Sequence, residues 1–529
     1  MVVSWNLFYN KDKLRIKEFL MKEWHEGYFT ELEYVDGYLA EMSPLLLQLN
    51  LTLAGVKINH ADSILPIKNL SYLELGFGKG SSFNIHAAGN DGDFMGIDFN
   101  PNHVKNAIEF AQASGAKARI FDDSFEELYE RLHSENTFFD IIVLHGVWSW
   151  VSIQNQEVIL KIIRKFLKVG GIVYISYNTF PGWAKKHPIR ELLMGYFQNT
   201  SGSAEQRITQ SIAFVEEFLN KQTSFTKAFP DYPQFLAELK QHNVAYIAHE
   251  YLNQDWNCCY FTEMVKKLES NKCSFAASGK ILDHIDMDID SLELTSLKQI
   301  QDDIFKEQIK DYCINRQFRL DIFMRGKQTL GIQEGIAKIS NTFFTLIKLP
   351  KTFKGTSQEG TNIFYRFILV ILDFLTTDSY RPKSGFEIME HCKLPFREFL
   401  ASLCVIIHQG LVMPAQKPNQ QLQQQTKKFN THLFERQMHE KSSIYAASPI
   451  TGGGIVVSEV EQLFIQGQKL FSDTHQIITF VLEILTSQNR LLANGNEQID
   501  YAKSFQILQD AFKEFIEERL TLLQALEIC

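Results

Sequence analysis

Nine residues, Tyr72-Leu-Glu-Leu-Gly-Phe-Gly-Lys-Gly80, join a short apolar run to a glycine-rich turn and a helix that begins near Ser81. Gly76, Gly78 and Gly80 let the backbone turn with positive φ and approach a ligand with no Cβ in the way. The helix beyond offers unpaired N–H groups. A dinucleotide site favours G-x-G-x-x-G. Here the third glycine comes one residue early and Glu74 precedes the loop, a carboxylate that would repel a pyrophosphate and suits an amino group. A ligand with a cationic end and an adenosine, S-adenosylmethionine above all, fits better.

Acidic residues follow at the ends of the next strands. Asp98 closes Phe-Met-Gly-Ile-Asp98, where a carboxylate can accept from both ribose hydroxyls. Asp122 or Asp123, with Ser124, closes the third run, where a carboxylate can accept from an adenine amino group. The plainer reading of strand-end Asp and Ser is that they cap helices and turns.

Two further loops lie where a methyl acceptor would enter. In His145-Gly-Val-Trp-Ser-Trp150, Trp148 could form a channel wall and His145 could accept a proton or touch the cofactor's methionine end. In Tyr177-Asn178-Thr-Phe-Pro181-Gly-Trp183, the Tyr177 hydroxyl and the Asn178 carbonyl oxygen could accept from an amine. Ordinary packing competes for each tryptophan. Tyr34, in Tyr34-Val-Asp-Gly-Tyr38, could fold over the cofactor as a lid or brace the first helix. Cys258 and Cys259 have no partner at ligand spacing, so no metal site is expected.

These residues need a frame, and the stretch from Leu70 to Tyr177 supplies one. Short β-branched runs at Tyr72 to Leu75, Phe94 to Asp98, Ala118 to Phe121, Phe139 to Leu144 and Ile172 to Ser176 alternate with amphipathic stretches, the pattern of a parallel sheet covered by helices. Val158, Ile159, Ile162, Ile163, Phe166 and Leu167 recur at helical spacing, and Gly170 and Gly171 are expected to stop that helix. Open sheets of this kind bind ligands beyond the carboxyl ends of their strands, where the glycine loop and the acids would converge. From Pro188 to about Asn243 the pattern is helical, with breaks at Asn199 to Gly202 and Phe229 to Pro233. Phe261 to Ser278 is expected to return the chain to the sheet as its last helix and strand. Gln416 to Lys428, with six glutamines, reads as an exposed linker. Val457 to Leu526 carries enough spaced Leu, Ile and Phe for a helical bundle.

The length of 529 residues exceeds what one core usually organises, and 45% apolar with 22% charged residues is ordinary for globular proteins. A formal charge of −9 offers no global field for nucleic acid or anionic lipid. The longest apolar run, Phe367 to Leu372, is far short of the ~20 residues that span a bilayer. Seven cysteines, none spaced as C-x-x-C, and no secretion-like N-terminus point to the cytoplasm.

Leu73-Glu-Leu-Gly-Phe-Gly-Lys-Gly80, Asn84-Ile-His-Ala-Ala88, Gly96-Ile-Asp-Phe-Asn-Pro101, Leu144-His-Gly-Val-Trp-Ser-Trp150 and Tyr174-Ile-Ser-Tyr-Asn-Thr-Phe-Pro-Gly-Trp183 resemble bacterial class I S-adenosylmethionine-dependent methyltransferases with a methyltransferase regulatory domain, the rickettsial protein lysine methyltransferases among them. Gly37-Tyr-Leu-Ala-Glu-Met-Ser-Pro44, His249-Glu-Tyr-Leu-Asn253, Trp256, Tyr260-Phe-Thr-Glu263 and Asn315 to Gly326 extend the likeness. Phe77, commonly Cys, and Val169, commonly Pro, depart from the pattern at positions without chemistry.

The resemblance implies an α/β, Rossmann-like doubly wound sheet with mostly helical accessory domains. Its division is an N-terminal helical segment and cofactor lid (1–68), a cofactor-binding core (69–185), a helical insertion (186–245), core completion with the regulatory segment (246–328), a middle helical or winged-helix-like domain (329–415), a linker (416–430) and a C-terminal helical domain (431–529). The implied activity is N-methylation of lysine side chains in a protein substrate, with S-adenosylmethionine as cofactor, room for a homodimer, and neither membrane insertion nor nucleic acid as partner. Two rival readings are a small-molecule or nucleic-acid methyltransferase and a non-catalytic S-adenosylmethionine sensor.

Overall fold

The computed structural model describes residues 37–58, 67–285, 295, 297–349, 363–490, 493–494, 497–498 and 500–529. Its centre is a seven-stranded sheet made of β1 (Leu70–Leu75), β2 (Gly92–Ile97), β3 (Ala118–Phe121), β4 (Phe139–Leu144), β5 (Leu167–Asn178), β6 (Ser274–Ser278) and β7 (Phe318–Met324). The spatial order is β3-β2-β1-β4-β5-β7-β6. β1 to β5 pair in parallel, and β7 runs antiparallel between β5 and β6. All five strands expected from the pattern between Leu70 and Tyr177 are present.

Both faces of the sheet are covered, as continuous apolar strands require. Leu73, Leu75, Ile142 and Leu144 meet the helices Ile153–Phe166 and Phe261–Glu269 on one side. Tyr72, Phe94, Ile141 and Tyr174 meet Phe83 and Ala107 on the other. The strand order reverses between β1 and β4, so the crevice for a ligand opens beyond the carboxyl ends of β1, β2 and β4.

Three expectations are corrected. The helix Ile153–Phe166 ends four residues before Gly170. Gly170 and Gly171 instead lie at the start of β5, where the β4 register slips between Phe139 and Ile141, and Gly170 N–H donates to the Arg325 carbonyl at 2.7 Å. The helix Phe261–Glu269 and β6 do rejoin the sheet, but β6 is not its last strand. β7 follows it in the chain and is inserted between β5 and β6, because Leu320, Ile322 and Met324 alternate onto an apolar face while Arg319 and Asp321 find buried ionic partners.

The third correction is the glutamine-rich run. Gln420–Gln437 is an 18-residue helix whose Leu422, Phe429, Leu433 and Phe434 are buried. Its N-cap Asn419 accepts from Leu422 N–H at 2.9 Å. An exposed linker would lack such a stripe; here it joins one apolar core that also contains Ile371, Phe399, Leu403, Phe464, Leu482 and Leu508, together with Ile85, Ala88 and Phe110 of the cofactor half.

The insertion comprises the helices His187–Gln198, Ala204–Leu219, Ser224–Ala228, Tyr232–Leu239 and Val244–Tyr251 around their own cluster, with Trp183 within it. The middle segment sets the helices Ile332–Asn341, Ile363–Thr376, Gly385–Cys392 and Phe396–His408 against a small sheet of Phe343–Leu346, Lys383–Ser384 and Val412–Ala415. After the glutamine-rich helix come a hairpin, Tyr445–Ser448 with Gly453–Val456, and the helices Glu459–Leu470, Thr474–Ser487, Tyr501–Glu514 and Leu520–Ala525. Among the described residues no helix is long and apolar enough to cross a membrane.

Candidate cofactor and acceptor site

The turn after β1 is held by its neighbour strand: Gly76 N–H donates to the Ile97 carbonyl at 2.8 Å. Gly78 sits at φ +59°, and a Cβ built on it would meet nothing within 4 Å. Positive φ disfavours any side chain there, and the open space in front is what a ligand needs. Gly80 serves packing instead, since its Cβ would strike the Ala107 Cβ at 2.6 Å.

Asp98 lies in register with this loop. Its Oδ2 accepts from Gly78 N–H at 2.8 Å, while Oδ1 accepts from Asn100 N–H at 3.0 Å and stands 3.0 Å from His103 Nδ1. A carboxylate offers about four lone-pair positions, so these partners leave room for one ribose hydroxyl rather than both.

Glu74 is 2% exposed, and among the described residues its carboxyl has a single hydrogen bond, a long one of 3.5 Å from the Tyr72 hydroxyl. Burial pushes its carboxyl up to about 8, with Asp98 adding to the rise. Among the described residues it makes no ion pair. An ammonium group is what such a carboxylate lacks, and the amino end of S-adenosylmethionine is one. The buried acid, the open glycine turn and the acceptor position left on Asp98 therefore fit that cofactor.

Asp123 and Ser124 are spent locally. Both Asp123 oxygens take the Arg131 guanidinium, at 2.6 and 2.9 Å, and that guanidinium lies 3.9 Å from the Phe121 ring centre. Ser124 is an N-cap: its Oγ accepts from Glu127 N–H at 3.3 Å, and Glu127 reaches back to Ser124 N–H at 2.8 Å. The capping reading describes Ser124, while Asp123 is engaged by Arg131. Asp122 beside them is exposed.

His145 closes β4 with Nδ1 2.9 Å from the Tyr174 hydroxyl, its ring stacked on Tyr174 and edge-on to Phe318. Burial lowers its pKa to about 4, so the ring is neutral at ordinary pH. Trp148 is 1% exposed within the core under the loop, with its carbonyl accepting from Gln156 Nε2 at 2.9 Å. It is a buttress for the loop rather than an open wall.

Tyr177 is also committed. Its hydroxyl donates to Asp321 Oδ2 at 2.5 Å, inside a buried cluster in which Arg319 bonds Asp321, Asp311 and Glu307. Burial beside Asp321 raises its pKa well above the ordinary phenol value, so it holds its proton. Asn178 is different. Its backbone N–H donates to Ser149 Oγ at 2.8 Å and its carbonyl accepts from Cys259 N–H at 3.3 Å, but its buried carboxamide Nδ2 has no partner among the described residues. Tyr34 lies outside the described residues.

The contacts that several residues make at the site carried no sequence signal, although Tyr38, His86 and Tyr174 lie in the motifs quoted for the resemblance. Tyr38 packs against His86, 3.2 Å from hydroxyl to Nε2, and burial takes the His86 pKa down to about 3. Tyr174 and His103 were equally silent, since their roles arise from neighbours distant in sequence or from one turn of helix.

Residues 67–226 match the family described as a methyltransferase domain, and residues 243–325 the predicted methyltransferase regulatory domain. The chain is 34% identical over 520 residues to the uncharacterized protein sll1526 of Synechocystis, covering 96% of this chain and 99% of that one. It is 27% identical over 334 residues to the uncharacterized protein RP789 of Rickettsia prowazekii, 60% of this chain and 57% of the relative. Among solved structures, PKMT2 from Rickettsia typhi shares the fold with a TM-score of 0.65 at 19% identity, over 93% of this chain and 99% of that one. The same protein in complex with AdoHcy gives 0.66 at 18% identity, covering 93% and 100%. The reversed sheet with its antiparallel β7, the glycine turn and the two matched domains place the chain in the class I S-adenosylmethionine-dependent methyltransferases that carry a methyltransferase regulatory domain.

Proposed function

We propose that the chain N-methylates lysine side chains of a protein substrate in the cytoplasm. The observation that carries the acceptor side is Asn178: at the carboxyl end of β5, between Tyr177 bound to Asp321 and Thr179 bound to the Cys259 carbonyl, its carboxamide Nδ2 has no hydrogen-bond partner among the described residues, so the amide plane is free to turn its oxygen or its nitrogen to a ligand. Its oxygen suits an amine N–H. Just beyond it Phe180, Tyr260 and Tyr312 form an aromatic row with centroids 5.3 and 6.4 Å apart, which suits the stem and charge of a lysine. A free lysine amine is protonated at neutral pH, with a pKa of ~10.4, and apolar surroundings favour its neutral form.

When bound, S-adenosylmethionine would supply an electrophilic methyl group to the lone pair of the neutral amine. The chain's own residues hold the cofactor's amino and ribose ends through Glu74 and Asp98 and orient the amine through Asn178. Lysine as acceptor is supported by the sequence resemblance to rickettsial protein lysine methyltransferases and by the fold shared with PKMT2 of Rickettsia typhi.

Incubation with methyl-tritiated S-adenosylmethionine and a cell lysate, split into protein, RNA and small-molecule fractions, tests this. Label is expected in protein and, after acid hydrolysis, in methyllysine. Label confined to RNA or small molecules overturns the substrate. No label in any fraction, with S-adenosylhomocysteine still bound, makes the protein a sensor.

A further inference from the structure

The helix Gln420–Gln437 packs on the two helices that frame the cofactor turn, Ser81–Gly89 and Pro101–Ser114, and a polar chain crosses that contact. Arg436 Nη1 donates to Asn106 Oδ1 at 2.7 Å, and Asn106 Nδ2 donates to the Lys79 carbonyl at 2.8 Å. Lys79 stands between Gly78 and Gly80. Chemistry fixes the orientation of the Asn106 amide, because a guanidinium only donates and a carbonyl only accepts.

The Lys79 carbonyl and the Gly80 N–H share one rigid peptide plane. That N–H donates to the Phe77 carbonyl at 3.1 Å. Holding the carbonyl therefore holds the turn from Phe77 to Gly80, and with it the left-handed Gly78 whose N–H meets Asp98. Polarisation through a shared amide strengthens both links of such a chain. Arg436 is kept in place by Glu440 and by the Phe110 ring, 5.5 Å from the guanidinium carbon.

The opposite end of the cofactor helix is fastened to the same half of the molecule. Asn90 Nδ2 donates to the Gly452 carbonyl at 2.7 Å, and Gln416 Nε2 donates to the Gly89 carbonyl at 2.8 Å. The C-terminal half thus grips the cofactor half on both sides of the helix that starts at the glycine turn.

We propose that Arg436 and Asn106 are positioning residues for the glycine turn, so that cofactor affinity is set in part by the C-terminal half. This rests on the cofactor site and is independent of the methyl acceptor. Calorimetric titration of the full chain with S-adenosylhomocysteine tests it. Arg436→Ala and Asn106→Ala should each weaken binding roughly five- to tenfold, the size of one lost hydrogen bond. The double variant should be no weaker than the poorer single one by more than about twofold, as for residues acting through one chain.

Arg436→Lys, which can still donate to Asn106, should recover most of the affinity. His432→Ala is the control: His432 packs on the same helix, edge-on to Phe110 and 3.0 Å from Glu109, but does not touch the turn. It should bind as the unaltered protein does. Unchanged affinity in Arg436→Ala overturns the proposal, as does an equal loss in His432→Ala or no recovery in Arg436→Lys. Should Asn106→Ala fail to fold, the comparison of the three variants at Arg436 and His432 decides alone.

Discussion

Tyr177 donates its hydroxyl proton to Asp321 at 2.5 Å although 144 positions separate them. The bond fastens the acceptor end of β5 to β7, and Asp321 in turn bonds Arg319, which is 1% exposed. Removing Asp321 leaves the Nε side of that buried guanidinium unpaired while Asp311 and Glu307 still hold its other nitrogens, so Asp321→Ala should destabilise the fold by about 2–3 kcal/mol. Tyr177→Phe loses one hydrogen bond and should cost about 1 kcal/mol. Urea unfolding of the two variants checks the order; equal losses would contradict the unpaired-guanidinium account.

The Asp98 carboxylate organises the turn, and on the proposed reading it also meets the ribose. Asp98→Ala deletes its bonds to Gly78 and Asn100 and its contact with the cofactor together, a loss of roughly 3 kcal/mol or about a hundredfold in affinity. Titration with S-adenosylhomocysteine, with circular dichroism as the fold control, reads it. A loss below threefold would remove Asp98 from the site.

Glu74 is expected to make binding pH-dependent. Its folded pKa of about 8 lies above the ordinary 4.5, so between those values the folded chain carries a proton that the unfolded chain has lost. Ligand-free stability therefore falls as pH rises through that window and levels off above about 8. An ammonium against Glu74 favours its ionised form, so binding near pH 7 should expel close to one proton. Calorimetry in two buffers of different ionisation enthalpy measures this. Glu74→Gln should abolish the buffer dependence, weaken binding and raise the ligand-free melting temperature above pH 8; identical heats for the unaltered protein in both buffers would refute the assignment.

Asn178 should act on turnover more than on cofactor binding. Asn178→Ala is expected to lower kcat about a hundredfold, in the range of a lost orienting contact, while affinity for S-adenosylhomocysteine stays within about twofold. Single-turnover methyl transfer against calorimetry separates the two. A parallel loss of both would move Asn178 from the acceptor to the cofactor.

Local signals were legible in the sequence and shared ones were not. The five strands between Leu70 and Asn178 show as apolar runs closed by turns, and the glycine turn and Asp98 follow from them. β7 stayed hidden because Arg319 and Asp321 interrupt its apolar run, and the partners that let them be buried, Asp311, Glu307 and Tyr177, lie outside it. The glutamine-rich helix hid its stripe, since Leu422, Phe429, Leu433 and Phe434 have helical spacing but are diluted by amides. The ion pair of Asp123 was hidden because nothing in its own segment shows that Arg131, two turns along the next helix, reaches both oxygens.

The place of β7 between β5 and β6 also dictates an order of assembly. β5 is finished at Asn178, but its neighbour arrives only with Phe318 to Met324. As the chain leaves the ribosome, β5 is an open, apolar edge throughout the synthesis of the helical insertion, and such edges invite pairing with other chains. Closing so long a loop is slow because its entropy is lost before the pairing rewards it. A fragment cut after residue 226, where the methyltransferase-domain match ends, would keep the whole glycine turn yet expose that edge permanently. Such a fragment should aggregate more readily than one extended past Met324, in which β5 is paired although Ile85, Ala88 and Phe110 are still bared.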